Sequence, residues 1–403
     1  MRVLIADKLS PIVSQRLEAA GCAVTADPAL KEEAFRLALS QHNPQVVVVR
    51  STKITAAHID AAPALSLIIR GGAGVNTIDV NHAASRGIYV ANCPGKNAVA
   101  VAELTMGLLI NLDRRISDNV AALRKGTWAK KEFGKARGLK GRTLCILGLG
   151  QIGREVVSRA QAFGMHVRVW SRSLTPEQAD ALGVEYAASP RLAASGANAL
   201  TVHVALTPQT RGLVGPEVLE ALAPGAYVIN AARGGVVDET ALVHAITTRG
   251  LRAGLDVFED EPSASDTAFT SAIGANPGVY GTHHIGASTD QASEAVGDEV
   301  ARIVASWKDT GAVPNCVNLA QASLATHLLV VRHRDEVGVL AGVLDTLSRG
   351  QINVQEMQNI VFQGSAAACA HIHVSHRPSP ALIEELQAQS FVLAVDVVEL
   401  EKK

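Results

Sequence analysis

The sequence predicts an α/β protein with two doubly wound parallel sheets and a smaller third domain. Short apolar strands alternate with helices along residues 1–95, and again along residues 143–285. A Gly-x-Gly-x-x-Gly sequence stands between a strand and a helix at residues 148–153. After residue 318 the order becomes strand, helix, strand, strand, helix, strand, which is the ferredoxin-like pattern. We therefore expect two Rossmann-like or flavodoxin-like domains followed by a ferredoxin-like one.

Length and composition restrict the class of protein. With 403 residues the chain suits two or three domains, and 48% hydrophobic with only 3% aromatic residues indicates cores of Ala, Val, Leu and Ile. A net charge of −1 argues against nucleic acid or a membrane surface as partner. The five cysteines lack metal-ligand spacing, no apolar run reaches membrane length, and no signal peptide is recognisable. We expect a cytoplasmic protein without a metal site.

The glycine motif predicts a dinucleotide site. Gly148 permits the tight turn after the strand, Gly150 lets backbone amides approach a pyrophosphate, and Gly153 lets the helix pack closely on the strand. The amino end of the following helix adds unpaired donors and a partial positive charge. The motif lies well inside the chain, which predicts a substrate-binding domain at 1–96 and 286–318 and a dinucleotide-binding domain at 97–285. A long apolar helix from 97 to 116 should be buried between domains or in a subunit interface.

The residues after the second strand of the dinucleotide domain bear on the choice of cofactor. An NAD-binding fold usually has an acidic residue there to bond the ribose 2′-hydroxyl, about 20 residues past the motif. Ser171 takes that place and Arg172 follows. A guanidinium can pair with a 2′-phosphate, which favours NADP, whereas NAD is favoured if Arg172 stacks on adenine instead.

Loops of the first domain predict an anion site. Arg50 and Ser51 follow one strand, and Arg70 with a glycine-rich stretch through Gly74 follows the next. Because the carboxyl ends of parallel strands converge on one crevice, glycine amides there can hold a carboxylate and the arginines a second anionic group. The alternative is that both arginines are ordinary surface residues.

Three strand-end loops of the second domain each supply one chemically useful side chain: Arg233, Glu261 and His284. All three should lie at the edge of the sheet where a nicotinamide would lie. Imidazole suits a base that accepts the proton of a hydroxyl group near pH 7, and a neighbouring glutamate would orient the ring and raise its pKa. An arginine would hold a carboxylate and polarise a carbonyl.

Taken together, these segments resemble the D-isomer-specific 2-hydroxyacid dehydrogenases over nearly the whole chain. The most specific parts are 92–95 with 100–103, the glycine motif, 230–238, 255–262 and 284–286. The resemblance implies that Arg233 binds substrate, that Glu261 and His284 form the acid–base pair, and that Asp256 contacts the nicotinamide carboxamide. Three residues depart from the usual family pattern without removing a catalytic group: His283, Ala205 and Cys145.

The resemblance and the loops together define the expected site. Cofactor-binding residues are expected at Gly148, Gly150, Gln151, Ile152, Gly153, Ser171, Arg172, Thr207, Ala231 and Asp256. Substrate-binding residues are expected at Arg50, Ser51, Arg70, Gly74, Val75 and Asn97.

The tail, expected at 322–403, resembles the amino-acid-sensing ACT domain. By that resemblance His333, Asp335 and Asn353 would hold an effector such as L-serine between two subunits, and the fold is expected to bring them together at one end. Val337 stands where such domains usually have Pro, so a purely structural role in dimerisation is the alternative. A homodimer or homotetramer is expected.

Three functions follow from these expectations. The leading hypothesis is NAD(P)-dependent oxidation of D-3-phosphoglycerate to 3-phosphohydroxypyruvate, the entry to serine biosynthesis. The second is NADPH-dependent reduction of glyoxylate, hydroxypyruvate or another small 2-oxo acid, which Ser171 and Arg172 would suit. The third is a dinucleotide-sensing, corepressor-like interaction protein, against which the ACT-like tail argues. The sequence alone does not separate the substrates.

Overall fold

A computed structural model describes residues 1–262, 268–320 and 323–400. The chain forms two compact units, 1–318 and 319–403. Residues 322 and 401–403, at the ends of the expected tail domain, lie outside the described residues. Within the described ranges, no helix is both long and apolar enough to cross a membrane.

The first lobe of the larger unit is a five-stranded parallel sheet in the order β2-β1-β3-β4-β5. Its strands are β1 (Arg2–Ile5), β2 (Ala23–Ala26), β3 (Val46–Val49), β4 (Leu67–Arg70) and β5 (Tyr89–Asn92). Its helices are α1 (Pro11–Ala19), α2 (Glu32–His42), α3 (Ala56–Asp60) and α4 (Val80–Ser85). This order is the flavodoxin-like one. The sequence prediction missed β2, a short edge strand with no fully buried residue.

The second lobe is a seven-stranded parallel sheet in the order β12-β11-β10-β9-β6-β7-β8. Its strands are β6 (Thr143–Leu147), β7 (His166–Trp170), β8 (Glu185–Tyr186), β9 (Ala199–Val202), β10 (Tyr227–Asn230), β11 (Arg252–Leu255) and β12 (Val279–Gly281). The helices that follow the first lobe are α5 (Ala98–Arg114), α6 (Ile116–Arg124), α7 (Lys130–Phe133), α8 (Gln151–Ala162), α9 (Pro176–Ala181), α10 (Pro190–Ala194), α11 (Pro216–Ala221), α12 (Glu239–Arg249) and α13 (Asp290–Thr310). The strand order reverses between β6 and β9, which is the point where doubly wound sheets bind ligands.

Alternation along the buried strands puts one core on each face of a sheet. In β6, Leu144 and Ile146 pack in one apolar cluster and Cys145 and Leu147 in the other. The same holds in the first lobe, where α13 returns and supplies Val296, Val300, Ile303 and Val304 to the cluster on one face of the sheet. Gly297 permits that close packing, because a Cβ there would lie only 3.0 Å from Val13 of α1.

The expected helix from 97 to 116 is confirmed as α5, which ends at Arg114. Arg115 then adopts a left-handed conformation with φ of 50°, and a second helix, which the sequence analysis did not predict, follows. The Asn111 side chain accepts from the amide of Ser117 (2.9 Å), which favours the restart as α6. The expectation of burial holds for one face of α5 only, because Val99 is 47% exposed.

The smaller unit is a four-stranded antiparallel sheet in the order β14-β15-β13-β16. Its elements are β13 (His327–Arg334), α14 (Val339–Arg349), β14 (Val354–Val361), β15 (Ala367–Val374), α15 (Pro380–Gln387) and β16 (Val392–Glu399). Leu329, Val331 and Ile372 of the sheet pack in one core with Val343 and Leu347 of α14. The ferredoxin-like arrangement is confirmed, and the likeness to ACT domains stays a prediction.

The expected grouping of the effector residues within one tail is wrong. His333 pairs with Ala368 near the start of β15, whereas Val354, which follows Asn353, pairs with Val374 at its end. Because β13 and β14 run parallel, the end of the first and the start of the second lie at opposite ends of the sheet, on the order of 20 Å apart.

His333 was expected on the loop between the first strand and helix of the tail, but it lies within the strand. It is the penultimate residue of β13 and is 1% exposed. Its Nδ1 lies 2.7 Å from the carbonyl of Arg334 and its Nε2 lies 3.1 Å from Oδ1 of Asn359. Both ring nitrogens therefore already have partners, whereas Asp335 and Asn353 are exposed.

The segment that leads to the tail is held on the edge of the first lobe. The amide of Val317 donates to the carbonyl of Val90 (2.8 Å), and the Asn318 side chain accepts from the amide of Val90 (2.9 Å). The amide of Asn92 donates to the carbonyl of Asn315 (3.3 Å). This segment thus pairs with β5, the strand that runs directly into the loop after Asn92.

Candidate active site

Loops from the carboxyl ends of both parallel sheets meet in the larger unit. The Gln151 side chain at the start of α8 packs directly on Gly95 of the first lobe. An added Cβ on Gly74 would lie 3.6 Å from a guanidinium nitrogen of Arg233, and Arg50 reaches the carbonyl of Ala287 at 3.5 Å. The predicted substrate loops and the predicted catalytic loops therefore face one another.

Glu261 and His284 form a direct pair. Glu261 Oε2 lies 2.7 Å from Nδ1 of His284, and its Oε1 accepts from the amide of Phe258 (3.1 Å). The bond from Glu261 is the main cause that raises the pKa of His284 above 6.5. Burial opposes ionisation of Glu261, but the bonds from His284 and Phe258 outweigh it, so its pKa is lowered. The pair is arranged as a carboxylate that orients an imidazole, and Nε2, which has no hydrogen-bond partner among the described residues, is available for chemistry.

His283, the neighbour of His284, is exposed and forms no hydrogen bond within the described residues. The two histidines therefore differ in surroundings, and only His284 has a carboxylate partner.

The backbone of His284 is strained and is held by Asp256. His284 has φ of 52°, a left-handed conformation that a residue with a side chain rarely adopts. The carboxylate of Asp256 accepts from the Thr282 hydroxyl (2.6 Å) and from the amides of Ile285 and Gly286 (both 2.8 Å). Asp256 is 1% exposed, so it fixes the turn from inside the protein. Its expected contact with a nicotinamide carboxamide stays a prediction.

Three arginines converge on the crevice. Arg70 folds over Gly72, whose missing Cβ leaves room for the guanidinium, and its buried Nε has no hydrogen-bond partner in the described part of the chain. Burial, followed by repulsion from Arg233 and Arg50, lowers the pKa of Arg70. Mutual repulsion among three guanidiniums would be relieved by a ligand with more than one negative charge.

Arg50 belongs to a loop that is organised around Asp7, a residue that the sequence analysis missed. The Asp7 carboxylate accepts from the amides of Arg50, Ser51 and Thr52 and from the hydroxyls of Ser51 and Thr52. Ser51, expected to contact substrate, therefore uses both its amide and its hydroxyl on Asp7. In the sequence, the only indication of this role was a carboxylate two residues after β1, together with a loop after β3 that is rich in hydrogen-bond donors.

The remaining expected substrate residues line the same side. Gly74 and Val75 lie in the loop after β4, where the Asn92 side chain donates to the carbonyl of Ala73 (2.6 Å). Asn97 stands just before α5 and makes no side-chain capping bond. Asn92 therefore supports the glycine-rich loop, a role that the sequence did not indicate.

The glycine motif has the shape that a dinucleotide requires. A Cβ on Gly148 would lie 2.5 Å from the carbonyl of His203, and a Cβ on Gly153 would collide with the carbonyl of Gly148. Around Gly150 there is open space, as a pyrophosphate would need. Ile152 packs against the core beneath, so its backbone rather than its side chain faces the loop.

The other expected cofactor residues follow β7, β9 and β10. Ser171 is partly buried and Arg172 is exposed, directly after β7. The amide of Thr207 donates to the Thr210 hydroxyl (2.8 Å), which shapes the loop after β9. Ala231 is 7% exposed at the end of β10. All lie at the carboxyl edge of the sheet, on both sides of the reversal in strand order.

Comparison with known proteins agrees with this geometry. Residues 106–286 match the family model described as D-isomer specific 2-hydroxyacid dehydrogenase, NAD binding domain. A D-3-phosphoglycerate dehydrogenase of Methanocaldococcus jannaschii is 38% identical over 79% of this chain and 60% of its own length. One from Mycobacterium bovis is 35% identical over 95% of this chain and 73% of its own. The chain thus spans less than two thirds of the first of these relatives.

Solved structures share the fold. An NADPH-dependent glyoxylate/hydroxypyruvate reductase from Sinorhizobium meliloti, in complex with NADP and malonate, is 31% identical with a TM-score of 0.65, covering 78% of this chain and 96% of its own. The chain belongs to the D-isomer-specific 2-hydroxyacid dehydrogenase family, a family of oxidoreductases.

Proposed function

We propose that this protein oxidises D-3-phosphoglycerate to 3-phosphohydroxypyruvate with a nicotinamide cofactor. The observation that carries the proposal is the convergence of Arg50, Arg70 and Arg233 on one crevice, beside the Glu261–His284 pair. A substrate with a phosphate at one end and a carboxylate at the other matches three cations better than a single carboxylate does. The phosphoglycerate dehydrogenases among its relatives support the same substrate class.

Each side chain has a defined task in the proposed reaction. Arg233 binds the substrate carboxylate, while Arg50 and Arg70 bind the phosphate. His284 Nε2 accepts the hydroxyl proton, and Glu261 on Nδ1 stabilises the imidazolium that results. A bound nicotinamide would supply the acceptor for the hydride that leaves the carbon bearing this hydroxyl group. Asp256 keeps His284 facing the substrate through the turn at 282–286.

The substrate assay that tests this proposal compares initial rates for D-3-phosphoglycerate, glyoxylate and hydroxypyruvate with both nicotinamide cofactors. Arg50→Ala and Arg70→Ala should raise the KM for 3-phosphoglycerate by about tenfold each, because each removes a charged hydrogen-bonding partner. Glyoxylate carries no phosphate and should be unaffected. Faster turnover of glyoxylate than of 3-phosphoglycerate, unchanged by both substitutions, would contradict the proposal.

A glyoxylate or hydroxypyruvate reductase is the second candidate. Ser171 and Arg172 stand where an NAD enzyme usually has an acid, and a structural neighbour with that activity binds NADP. We favour NADP as cofactor on the same ground. Replacing Ser171 with Asp should shift the ratio of kcat/KM toward NAD, through a ribose hydrogen bond and repulsion of a 2′-phosphate. An unchanged ratio would show that Ser171 and Arg172 do not determine the choice of cofactor.

The tail suggests regulation by an amino acid such as L-serine in a homo-oligomer. Asp335 and Asn353 lie at opposite ends of one tail sheet, so a single copy cannot place both on one small ligand. Two-fold antiparallel pairing of the edge strand β14 with a second copy would bring Asp335 of one beside Asn353 of the other. The segment 315–318, which pairs with β5, would connect such binding to the substrate loop.

Deleting residues from about 321 onward tests the regulatory part separately. The truncated protein should remain active and lose any inhibition by serine, because the larger unit holds every expected catalytic residue. Titration calorimetry of serine into the intact chain is the direct measurement. No heat and no inhibition at millimolar serine would leave the tail as a dimerisation element.

We propose a location in the reducing cytosol, which the five free cysteines would suit.

A further inference from the structure

Asp7 lies immediately after β1 and holds the loop that carries Arg50. Its Oδ2 accepts from three consecutive amides, those of Arg50 (2.6 Å), Ser51 (2.9 Å) and Thr52 (2.8 Å). Its Oδ1 accepts from the hydroxyls of Ser51 and Thr52, both at 3.0 Å. Five bonds to one carboxylate leave the loop little freedom, because every donor of residues 51 and 52 is directed inward.

The held loop directs Arg50 across the crevice. Its guanidinium Nη2 lies 3.5 Å from the carbonyl of Ala287, just past the turn that contains His284. An arginine side chain loses much of its rotamer entropy when it is ordered, and Arg50 also faces two other cations. An unanchored Arg50 would therefore turn toward solvent. Fixing its backbone leaves the side chain as the only part that a ligand must order.

Asp7 also counteracts the repulsion at the site. Its negative charge acts on Arg70 in the direction opposite to that of Arg50 and Arg233. The three amides that bind the carboxylate keep it ionised, since they outweigh burial and lower its pKa. Among the described residues, the partners of the Asp7 carboxylate are amides and hydroxyls of residues 50–52 rather than the guanidiniums, so Asp7 acts through the loop and through its charge.

We propose that Asp7 is a positioning residue that presents Arg50 to the anionic group of the substrate remote from the reacting carbon. The inference rests on the proposed function in taking that group to be the phosphate of 3-phosphoglycerate. Asp7 lies outside the glycine motif and outside the loops that supply Arg233, Glu261 and His284, so none of these motifs predicts its role.

Kinetics of Asp7→Leu and Asp7→Asn test the role. Asp7→Leu removes all five acceptor bonds at similar volume and should raise the KM for 3-phosphoglycerate by about tenfold or more, with kcat and the cofactor KM within about twofold. Asp7→Asn keeps an oxygen that accepts from the amides and should recover most of the loss. Asp27→Leu is the matched control, because Asp27 follows the neighbouring strand β2 and, in the described part of the chain, its carboxylate accepts from the amide of Ala29 alone (2.9 Å). It should leave every constant unchanged.

A double-mutant cycle with Arg50→Ala separates positioning from general destabilisation. If Asp7 acts through Arg50, the double variant Asp7→Leu/Arg50→Ala should have the same KM as Arg50→Ala alone. Additive losses would overturn the proposal. Hydrogen exchange provides an independent readout: the amides of residues 50–52 should exchange faster in Asp7→Leu and not in Asp27→Leu. Unchanged protection would also overturn it.

The outcomes also distinguish this inference from the proposed function. If Arg50→Ala leaves the KM for 3-phosphoglycerate unchanged, the phosphate site itself is wrong and the role of Asp7 falls with it. If Arg50→Ala raises that KM and Asp7→Leu does not, the proposed function stands and only the positioning role is excluded.

Discussion

Two loops on opposite sides of the crevice are each held by a carboxylate, which is buried in Asp256 and partly buried in Asp7, but with different results. Asp7 binds three consecutive amides in the first lobe and fixes a loop in relaxed conformation. Asp256 binds two amides and a hydroxyl in the second lobe and fixes a turn in which His284 has positive φ. The first arrangement limits where Arg50, the proposed phosphate ligand, can go. The second keeps His284, the proposed proton acceptor, in a conformation that it would otherwise leave.

We infer that Arg50 and His284 each depend on a carboxylate that takes no part in the proposed chemistry. If this inference is right, substitutions that release the turn of the second lobe should lower kcat. Substitutions that release the loop of the first lobe should raise the KM for the substrate. The variants that follow test this division.

The largest effect is expected for His284→Asn. Loss of the proton acceptor should lower kcat by about 10²–10⁴-fold, the usual contribution of a general base, with cofactor affinity near normal. His283→Asn is the matched control, because His283, unlike His284, has no carboxylate partner among the described residues. Steady-state rates and cofactor titration decide between them. An inactive His283→Asn with an active His284→Asn would reverse the assignment.

A smaller loss in kcat is expected for Asp256→Asn. The amide can accept only with its oxygen, so at least one bond to the 282–286 turn is lost and the strained His284 can relax. Charged hydrogen bonds of this kind contribute about 1.5–3 kcal/mol, equivalent to roughly 10–100-fold in rate. The KM for substrate should change little. If instead only the cofactor KM rises, Asp256 acts as the carboxamide contact that the family resemblance implies.

The smallest and most specific effect is a shift in pH dependence for Glu261→Gln. Oxidation needs neutral His284, whose pKa is raised above 6.5 mainly by Glu261. The acid limb of kcat/KM for oxidation should therefore lie above pH 6.5 in the native protein and move to lower pH in the variant. Reduction needs the protonated ring, so its alkaline limb should move in the same direction. An unmoved profile would show that Glu261 only orients the ring.

The sequence predicted the two doubly wound sheets well, because buried parallel strands such as Val46–Val49 are continuous apolar runs. It placed Arg233, Glu261 and His284 on loops that the structure brings together. It did not predict α6, because the left-handed Arg115 that separates α6 from α5 is held in part by a bond to Glu132, 17 residues further along the chain. Local sequence carries no signal for such a bond.

For a related reason, neither the supporting residues of the site nor the register of the tail sheet could be predicted from the sequence. Asp7 and Thr282 act through partners distant in the chain, and no motif spacing links Asp7 to residues 50–52. The effector residues were grouped wrongly because a strand order does not by itself show which ends coincide. The pairing of Val354 with Val374 was needed for that.

The return of α13 to the first lobe has a consequence for synthesis on the ribosome. The sheet of the first lobe is complete at Asn92, but one of its faces is covered by Val296, Val300, Ile303 and Val304, which are made only after the whole second lobe. At 5–20 residues per second, the roughly 200 intervening residues take about 10–40 s to emerge. During that time the nascent chain presents an apolar face, with Val3, Ile5 and Val48 among its residues. The first lobe therefore closes only after the second lobe has been made, and we expect a chaperone to bind its open apolar face during translation.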